Sequence, residues 1–306
     1  MRRPILVTGV HRSGTTWVGK MIAASPQVTY ISEPLNVHHR PGVMRAPVSH
    51  WYKYICEDNQ DEYLKPLQDT LEYRYRLGAE IRALKSAKDF GRMLRDLTWF
   101  MQGKFNSTRP LLKDPFAVFS IPWFVEQFNT QIIVLVRHPA GFVSSLKKLS
   151  WDFDFEDLLQ QEYLMRDLLS DYKPEMEAVV KTNPNLVEQG ALLWKIVYDI
   201  IDRYRQSIPG MIVLRHEDMA KEPEVEFRKL YDQLGMRFTR KIEMIIDKSS
   251  SEKNPVELAR GRQHSIQLYS EETIKNWKSR LLPGEIEKIF QITRPIADRY
   301  YHPGEW

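Results

Sequence analysis

The chain has 306 residues, of which 42% are apolar, and its formal net charge is +4 at pH 7. This size and composition fit one α/β domain and exclude an intrinsically disordered chain. The single cysteine, Cys56, excludes an internal disulfide and a cysteine-based zinc site. No apolar stretch approaches the roughly 20 residues of a membrane span, and the N-terminal apolar run is too short for a signal peptide. We therefore expect a soluble, cytoplasmic protein without stable membrane insertion.

Apolar runs bounded by polar residues alternate with segments of helical period along the chain. The runs that predict strands are residues 5–8, 28–31, 111–112, 132–136 and 211–214. The segments that predict helices are residues 15–24, 67–84, 89–102, 121–128, 140–149 and 186–205. This alternation predicts a three-layer α/β fold, with a central parallel sheet of about five strands flanked by helices. We predict one domain over 1–306, with a mostly helical insertion at about 36–109 and a polar, lid-like loop at about 248–270.

A glycine-bounded turn follows the first predicted strand, and Gly9 to Trp17 reads Gly-Val-His-Arg-Ser-Gly-Thr-Thr-Trp. Such a turn before a helix directs backbone N–H groups at an anion. It matches the first part of the nucleotide-triphosphate loop, but Thr15 stands where that loop has lysine, and Arg12 supplies the positive charge. We therefore predict a P-loop-like fold and a phosphate ligand other than the β/γ pair of ATP. The simpler alternative is a tight turn before a threonine-capped helix.

Ligands of an open parallel sheet bind outside the carboxyl ends of its strands. Every predicted strand has ionisable residues at that end, so the basic ones and Glu33 could share one cleft. Because loops are polar in general, each of these residues alone could equally be structural. The residues concerned are Arg12, Glu33, Lys113, Asp114, Arg137, His138, Arg215, His216, Glu217 and Asp218.

A second strand–turn–helix unit surrounds Arg137. Pro139 suits a first helical turn, Arg137 offers a fork for bidentate phosphate binding, and Ser144 and Ser145 add hydroxyl groups. An arginine paired with a nearby carboxylate is the alternative. Two anion sites on one sheet edge suit a nucleoside with phosphates at both ends. A magnesium-dependent phosphoryl transferase would need an acidic residue at a strand end, and this strand ends in Arg137, so we predict no metal site.

The two motifs together resemble sulfotransferases that use 3′-phosphoadenosine 5′-phosphosulfate (PAPS). Residues 12–17, Arg-Ser-Gly-Thr-Thr-Trp, are similar to the family's 5′-phosphosulfate loop. Arg137 and Ser145, eight residues apart, match its 3′-phosphate motif. Arg260, Gly261 and Arg262, with residues 276–281, are similar to its cofactor-covering loop and the helix that follows.

Other segments place the resemblance nearer the carbohydrate-type and bacterial branch. Residues 30–35 look like its Glu-Pro element, and residues 215–219, with 227–235, look like its Arg-Tyr-Glu-Asp-Leu segment and helix. The chain departs from the aryl and steroid branch at two points. That branch has lysine where Arg12 stands, and a clear Arg-Lys-Gly triplet where Arg260, Gly261 and Arg262 only approximate one.

The resemblance implies transfer of the sulfuryl group of PAPS to the hydroxyl of a small-molecule or glycan acceptor. The reaction would be an in-line displacement that releases adenosine 3′,5′-bisphosphate and uses no metal. It also implies a set of PAPS-binding residues. That set is His11, Arg12, Ser13, Gly14, Thr15, Thr16, Trp17, Arg137, Ser145, Arg260, Gly261 and Arg262.

Catalytic roles follow from the same resemblance and from the chemistry of the side chains. Arg12 would neutralise charge on the leaving group. Glu33 would take the acceptor proton, or would form a structural ion pair with Arg12 or Lys113. His38 or His39 is the next candidate for the base, and His216 is a further one. Lys113 would position the sulfonate or the leaving group, or form a structural ion pair.

Several alternatives stay open at this point. Trp17 could flank adenine or fill the core, and Trp51, Tyr52, Tyr54, Trp99 and Phe100 could line an acceptor pocket or pack between helices. The alternatives to a sulfotransferase are a magnesium-dependent P-loop kinase and a non-catalytic nucleotide-binding module.

Overall fold

The central sheet has five parallel strands. The computed structural model describes residues 2–251, 254–255 and 274–306. The strands are β1 Ile5–Thr8, β2 Val28–Ser32, β3 Arg109–Lys113, β4 Gln131–Val136 and β5 Ile212–Arg215. Their order across the sheet is β2-β3-β1-β4-β5. All five predicted strands and the α/β class are therefore confirmed.

The sheet carries helices on both faces because alternate residues of its buried strands point to opposite sides. On one side Leu6, Leu112 and Val134 join a core built with the helices that follow β4. On the other side Ile5, Leu111 and Ile133 join a second core with the first helix and with helices after β5. This is the three-layer arrangement that the alternating pattern predicts.

Fifteen α-helices lie in the described ranges. Those before β4 are α1 Thr15–Ile22, α2 Leu64–Leu71, α3 Leu77–Arg82, α4 Ala87–Phe105 and α5 Ile121–Phe128. Those between β4 and β5 are α6 Pro139–Leu149, α7 Glu156–Leu159, α8 Glu162–Leu164, α9 Lys173–Thr182 and α10 Leu186–Ser207. After β5 come α11 His216–Lys221, α12 Pro223–Gln233, α13 Arg240–Ser250, α14 Trp277–Arg280 and α15 Pro283–Ala297. Short 3₁₀ turns cover Glu57–Glu62, Pro115–Ser120, Ser170–Tyr172 and Pro303–Glu305, and Met165–Leu169 is a π turn.

The single helix predicted over residues 67–84 is wrong, since the chain forms α2 and α3 with a turn between them. Tyr73 adopts a left-handed backbone conformation with φ +59°. The carboxylate of Asp69, buried at the end of α2, forms ion pairs with Lys65, Arg74 and Arg76. These ion pairs stabilise the turn. The apolar spacing continues across the turn, and for this reason the sequence pattern predicts one helix.

Most of the predicted lid at 248–270 lies outside the described residues. The part that the structure describes begins as the last turn of α13, which ends at Ser250. Among the described helices, none combines the length and the apolar content that a membrane span requires.

Candidate active site

The loop between β1 and α1 follows a path that only glycine permits at two points. Gly9 has φ +137°, and a Cβ there would lie 2.4 Å from the carbonyl oxygen of Leu135. Gly14 has φ +101°, and a Cβ there would lie 2.6 Å from Nδ1 of His216. The loop is therefore packed directly against the end of β4 and the start of α11.

The N-terminus of α1 keeps its backbone donors available. Gly14 is the N-cap residue and no side chain caps the helix, so Thr15 and Thr16 do not act as caps. Within residues 2–251, 254–255 and 274–306, the N–H groups of Gly14, Thr15 and Thr16 have no hydrogen-bond partner. Together with the helix dipole, these groups form an anion site.

Arg12 brings the two phosphate motifs into contact. Its Nε donates to Oγ of Ser145 at 3.1 Å, and Nη1 of Arg137 donates to the carbonyl oxygen of Arg12 at 2.8 Å. Trp151 covers the Arg12 guanidinium at 5.7 Å from its ring centre. Burial lowers the pKa of Arg12, and burial also lowers the pKa of Arg137 to about 10. Both arginines stay cationic at neutral pH, so two positive charges lie beside the free N–H groups.

The end of β4 is held by side chains of α10. The indole N–H of Trp194 donates to the carbonyl oxygen of Arg137 at 2.8 Å, and the hydroxyl of Tyr198 donates to that of Leu135 at 2.7 Å. Trp194 and Tyr198 lie 57 and 63 residues beyond their partners in the sequence, so the motif around Arg137 does not predict these hydrogen bonds. Nearby, the buried Oγ of Ser144 has no partner among the described residues.

His11 anchors the loop and carries no charge. Its backbone N–H donates to the hydroxyl of Tyr52 at 3.2 Å, and its ring Nδ1 contacts the same oxygen. The ring packs between Phe116 and Phe142. Burial, and after it the charge of Arg12, lower the pKa of His11 to about 3, so the imidazole is neutral.

Glu33 and Lys113 form an ion pair at the ends of neighbouring strands. The ammonium of Lys113 donates to Oε1 of Glu33, and Nδ2 of Asn36 donates to Oε2 at 2.7 Å. Burial by itself would lower the pKa of Lys113. The electrostatic effects of Tyr30 and Glu33 are larger in sum, so the pKa lies above its ordinary value. The lysine is thus a buried cation whose only described carboxylate ion-pair partner is the partly exposed Glu33.

Asp114 holds the segment that presents Glu33, a role that the sequence analysis missed. Its fully buried carboxylate accepts from the N–H of Leu35 at 2.6 Å and of Phe116 at 3.0 Å. Burial and the charge of Glu33 raise the pKa of Asp114 to about 7. Glu33 itself has a left-handed backbone conformation, with φ +48°. Its position therefore depends on the hydrogen bonds that Asp114 accepts from the neighbouring backbone.

The histidines proposed as alternative bases lie in different surroundings. His38 is exposed beside Trp51. The ring of His39 contacts the carbonyl oxygen of Asn36 at 2.9 Å, and burial lowers its pKa. His216 is packed against Gly14, and burial lowers its pKa to about 3. Asn36 therefore joins His39 to Glu33, whereas His216 lies against the phosphate loop.

The aromatic candidates divide between the site and the rest of the fold. Trp17 is buried, packs on Phe227 and donates its indole N–H to Ser249 at 3.0 Å, so its ring belongs to the core. The ring centres of Trp51 and Phe116 lie 4.6 Å apart, and Phe116 also packs on Tyr52 and His11. Elsewhere, Tyr54 donates to Asp167, Trp99 packs on Tyr30, and Phe100 packs on Tyr73 and Tyr75.

The strand ends do not all contribute to the cleft, because Arg215 turns away from the phosphate loop. It forms an ion pair with Glu305 and lies over the ring of Tyr301. Glu217 accepts from the N–H of His138 and from the hydroxyl of Tyr301, both at 2.9 Å. Arg215 and Glu217 therefore fasten the C-terminal segment to the sheet.

Comparison with known proteins gives a consistent result. A family model described as "Sulfotransferase family" matches residues 4–240. The chain belongs to the sulfotransferase family. A search of curated protein sequences found no match.

Two solved sulfotransferase structures show the same fold over almost the whole chain. One is the sulfotransferase domain of the Synechococcus PCC 7002 olefin synthase, at 14% identity and a TM-score of 0.53. It covers 99% of this chain and 98% of that domain. The other is the sulfotransferase domain from the curacin biosynthetic pathway, at 15% identity and a TM-score of 0.51, covering 99% of both chains. These likenesses confirm the P-loop-like α/β fold of this sulfotransferase.

The C-terminal part of the proposed site is described only in part. Arg260, Gly261 and Arg262 lie outside the described residues. Trp277, which follows them, stacks on His138 with ring centres 5.1 Å apart and an interplanar angle of 7°. Trp277, in the segment that resembles the helix after the cofactor-covering loop, thus contacts the second phosphate motif.

Proposed function

We propose that this member of the sulfotransferase family transfers the sulfuryl group of PAPS to an acceptor hydroxyl, and releases adenosine 3′,5′-bisphosphate. The contact between the two phosphate motifs carries the proposal. Arg12 reaches Ser145, and Arg137 reaches the backbone of Arg12. A ligand with a phosphosulfate at one end and a ribose 3′-phosphate at the other suits two adjoining anion sites.

The donor set suits such a ligand. The N–H groups of Gly14, Thr15 and Thr16 would hold the 5′-phosphosulfate, with Arg12 against the oxygen between phosphorus and sulfur. Arg137, Ser145 and the unpartnered hydroxyl of Ser144 would hold the 3′-phosphate. Negative charge grows on the bridging oxygen as the S–O bond breaks, so Arg12 would stabilise the transition state more than the ground state.

Glu33 is the proposed general base. It lies at the ligand edge of the sheet as an ion-paired carboxylate, partly exposed and fixed on both oxygens. An acceptor hydroxyl that enters beside it would lose its proton to Glu33 as its oxygen attacks sulfur. Lys113 would then share its positive charge between Glu33 and the transferring sulfonate. The aromatic groups Trp51, Phe116 and Trp151 near the loop support a ring-containing acceptor such as a sugar.

Binding and turnover are tested separately. Without metal, adenosine 3′,5′-bisphosphate at about 100 times its Kd should stabilise the fold by about 2.7 kcal/mol in a thermal-shift titration. Labelled PAPS offered with sugars, phenols and lipid alcohols should give a labelled product. Stabilisation only by ATP with magnesium would replace the proposal by a phosphoryl transferase.

The base is tested with Glu33→Gln, which keeps the shape of the side chain and removes its basicity. We expect a turnover loss of about 10²–10⁴-fold with nucleotide affinity retained. Glu175→Gln is the matched control, because Glu175 on α9 is an exposed carboxylate that is ion-paired to Lys195 and makes no hydrogen bond or ion pair with a described residue of the proposed site. Unchanged turnover in Glu33→Gln would contradict the role of Glu33, and His39→Ala would then be the next variant to measure.

A further inference from the structure

Large exposed apolar side chains are concentrated in one short part of the chain. The described residues include ten such side chains, and six of them lie between positions 77 and 105. Those six are Leu77, Ile81, Phe90, Leu94, Met101 and Phe105. Scattered exposed apolar residues are normal on soluble proteins, but a contiguous group marks an interaction surface.

On α4 these residues form a stripe. Phe90, Leu94, Met101 and Phe105 are separated by four, seven and four residues, and therefore lie on one side of the helix. The stripe is about 22 Å long at a rise of 1.5 Å per residue. A different side of α4 packs inward, through Met93 and Phe100. The helix thus has a buried side that holds the fold and a second apolar side that faces outward.

A groove of about 1020 Å³ runs beside the C-terminal half of this stripe. Its apolar lining residues include Leu97, Met101 and Phe105, and Phe105 is 80% exposed. Five of its other lining residues are basic. The basic lining residues are Arg45, Lys65, Arg74, Arg76 and Lys104.

The basic lining residues keep unneutralised charge. Asp69, the one acidic residue among those lining the groove, is shared by Lys65, Arg74 and Arg76, and Arg74 also pairs with Glu72. Neither Arg45 nor Lys104 forms an ion pair with any residue in the described ranges. The groove therefore presents cations directly beside exposed apolar side chains.

The net positive charge of the chain is concentrated in the segment that contains α2, α3 and α4. Residues 64–105 contain nine basic and five acidic residues, a net charge of +4 that equals the charge of all 306 residues. Three of the five acids, Asp69, Glu80 and Asp96, are buried. The outward surface of this segment consequently carries more net positive charge than the residue composition alone indicates.

We propose that the face formed by α3 and α4 docks the protein peripherally on an anionic phospholipid bilayer. An apolar stripe bordered by Lys and Arg is the pattern of helices that lie in a membrane interface, where basic residues meet anionic headgroups. A second copy of the chain would bring two basic borders together, and their repulsion opposes it. An anionic bilayer is a flat partner that offers both negative charge and an apolar layer along the roughly 22 Å of the stripe. The proposal does not depend on sulfuryl transfer.

The loop after β2 contacts the inward side of the docking face, where Glu80 and Asp96 are buried. Arg40, four residues beyond Asn36, donates to the carbonyl oxygen of Asp89 at the start of α4 and forms ion pairs with Glu80 and Asp96. The loop that carries Glu33 is therefore joined to the docking face through Arg40.

The experiment is flotation of the full chain with vesicles of phosphatidylcholine alone or with about 30% phosphatidylglycerol. We expect binding only to the anionic vesicles, and its loss at about 0.5 M salt, where charges are screened within a few ångströms. The double variant Met101→Glu with Phe105→Glu should bind at least about tenfold more weakly. Lys104→Glu should weaken binding by a smaller factor, about threefold to fivefold, since one basic residue near the surface contributes about 1 kcal/mol.

Met244→Glu is the matched control, since Met244 is a similarly exposed apolar residue on α13, at 52%. It should bind the anionic vesicles as the unchanged protein does. Because the substituted side chains are exposed, unchanged thermal unfolding would show that all variants are folded. The proposal would be overturned by absent binding to anionic vesicles, or by equal loss in Met244→Glu. A dimer in light scattering that Phe105→Glu dissociates would assign the face to a second copy instead.

Discussion

The same dipeptide, Arg-His, lies at the ends of two neighbouring strands, and its two side chains point in opposite directions in the two places. After β4, Arg137 faces the phosphate loop, and His138 packs among Trp277, Tyr301 and Trp306. At the end of β5, His216 faces the phosphate loop at Gly14, and Arg215 packs on Tyr301 and pairs with Glu305. One dipeptide supplies a cation to the site, and the other supplies a neutral ring.

The register of the sheet explains the difference. Arg215 is paired with Val136, so His216 stands level with Arg137 and the two dipeptides are offset by one residue. Because side chains alternate between faces, an offset of one residue exchanges their directions. His138 and Arg215 consequently both contact Tyr301. A motif of charged residues at a strand end therefore predicts a site only when the register is known.

The largest effect is expected where the phosphate loop touches the second dipeptide. Gly14→Ala places a Cβ against His216 at a φ of +101°, and should lower the free energy of unfolding by about 3 kcal/mol. Gly210→Ala is the control, since Gly210 also has positive φ, at +78°, but has nothing within 4 Å. That control should cost about 1 kcal/mol. Denaturant titration measures both, and equal values would show that the contact with His216 is unimportant.

The two arginines should separate binding from stability. Arg137→Ala should weaken binding of adenosine 3′,5′-bisphosphate by about 10–100-fold, the effect of losing a charge-assisted hydrogen bond of roughly 1.5–3 kcal/mol. Arg215→Ala should leave that affinity unchanged within about twofold and reduce stability slightly. Calorimetric titration gives both values. An equal loss of affinity in the two variants would remove the distinction between the dipeptides.

The smallest effect concerns acid stability. Burial lowers the pKa of His138 to about 3, so protonation favours the unfolded chain, and stability falls as pH decreases from about 6.5 towards 3. His138→Phe should reduce the stability difference between pH 7 and pH 5 by about 1–2 kcal/mol. Neither ring nitrogen of His138 has a partner among the described residues, so phenylalanine loses no hydrogen bond. Denaturation at the two pH values measures the difference, and an unchanged slope would contradict a neutral buried His138.

The strands and the phosphate loop could be predicted because their signals are local. A buried apolar run followed by glycines restricts the backbone over a dozen residues, and the strand positions and the loop from Gly9 are as expected. The helical period at 67–84 was less informative. Apolar spacing does not reveal a left-handed residue such as Tyr73.

The supporting residues of the site could not be predicted, since they come from distant parts of the chain. Tyr52 holds His11 across 41 residues, and Trp194 holds Arg137 across 57. Asp114 was visible as a charged strand end, but its role depends on the N–H of Leu35, 79 residues away. Such roles follow from tertiary packing, which a single sequence does not specify position by position.

The hydrogen bonds from α10 to the end of β4 have a thermodynamic consequence for ligand binding. Beyond its last paired residue, a strand normally keeps mobile carbonyl groups that must be ordered when a ligand arrives. Here Trp194 fixes the carbonyl group of Arg137, the first residue beyond the paired part of β4, and Tyr198 binds the carbonyl group of Leu135 within the strand. The backbone next to Arg137 therefore has little conformational entropy left to lose, and more of the interaction energy with an anion becomes affinity.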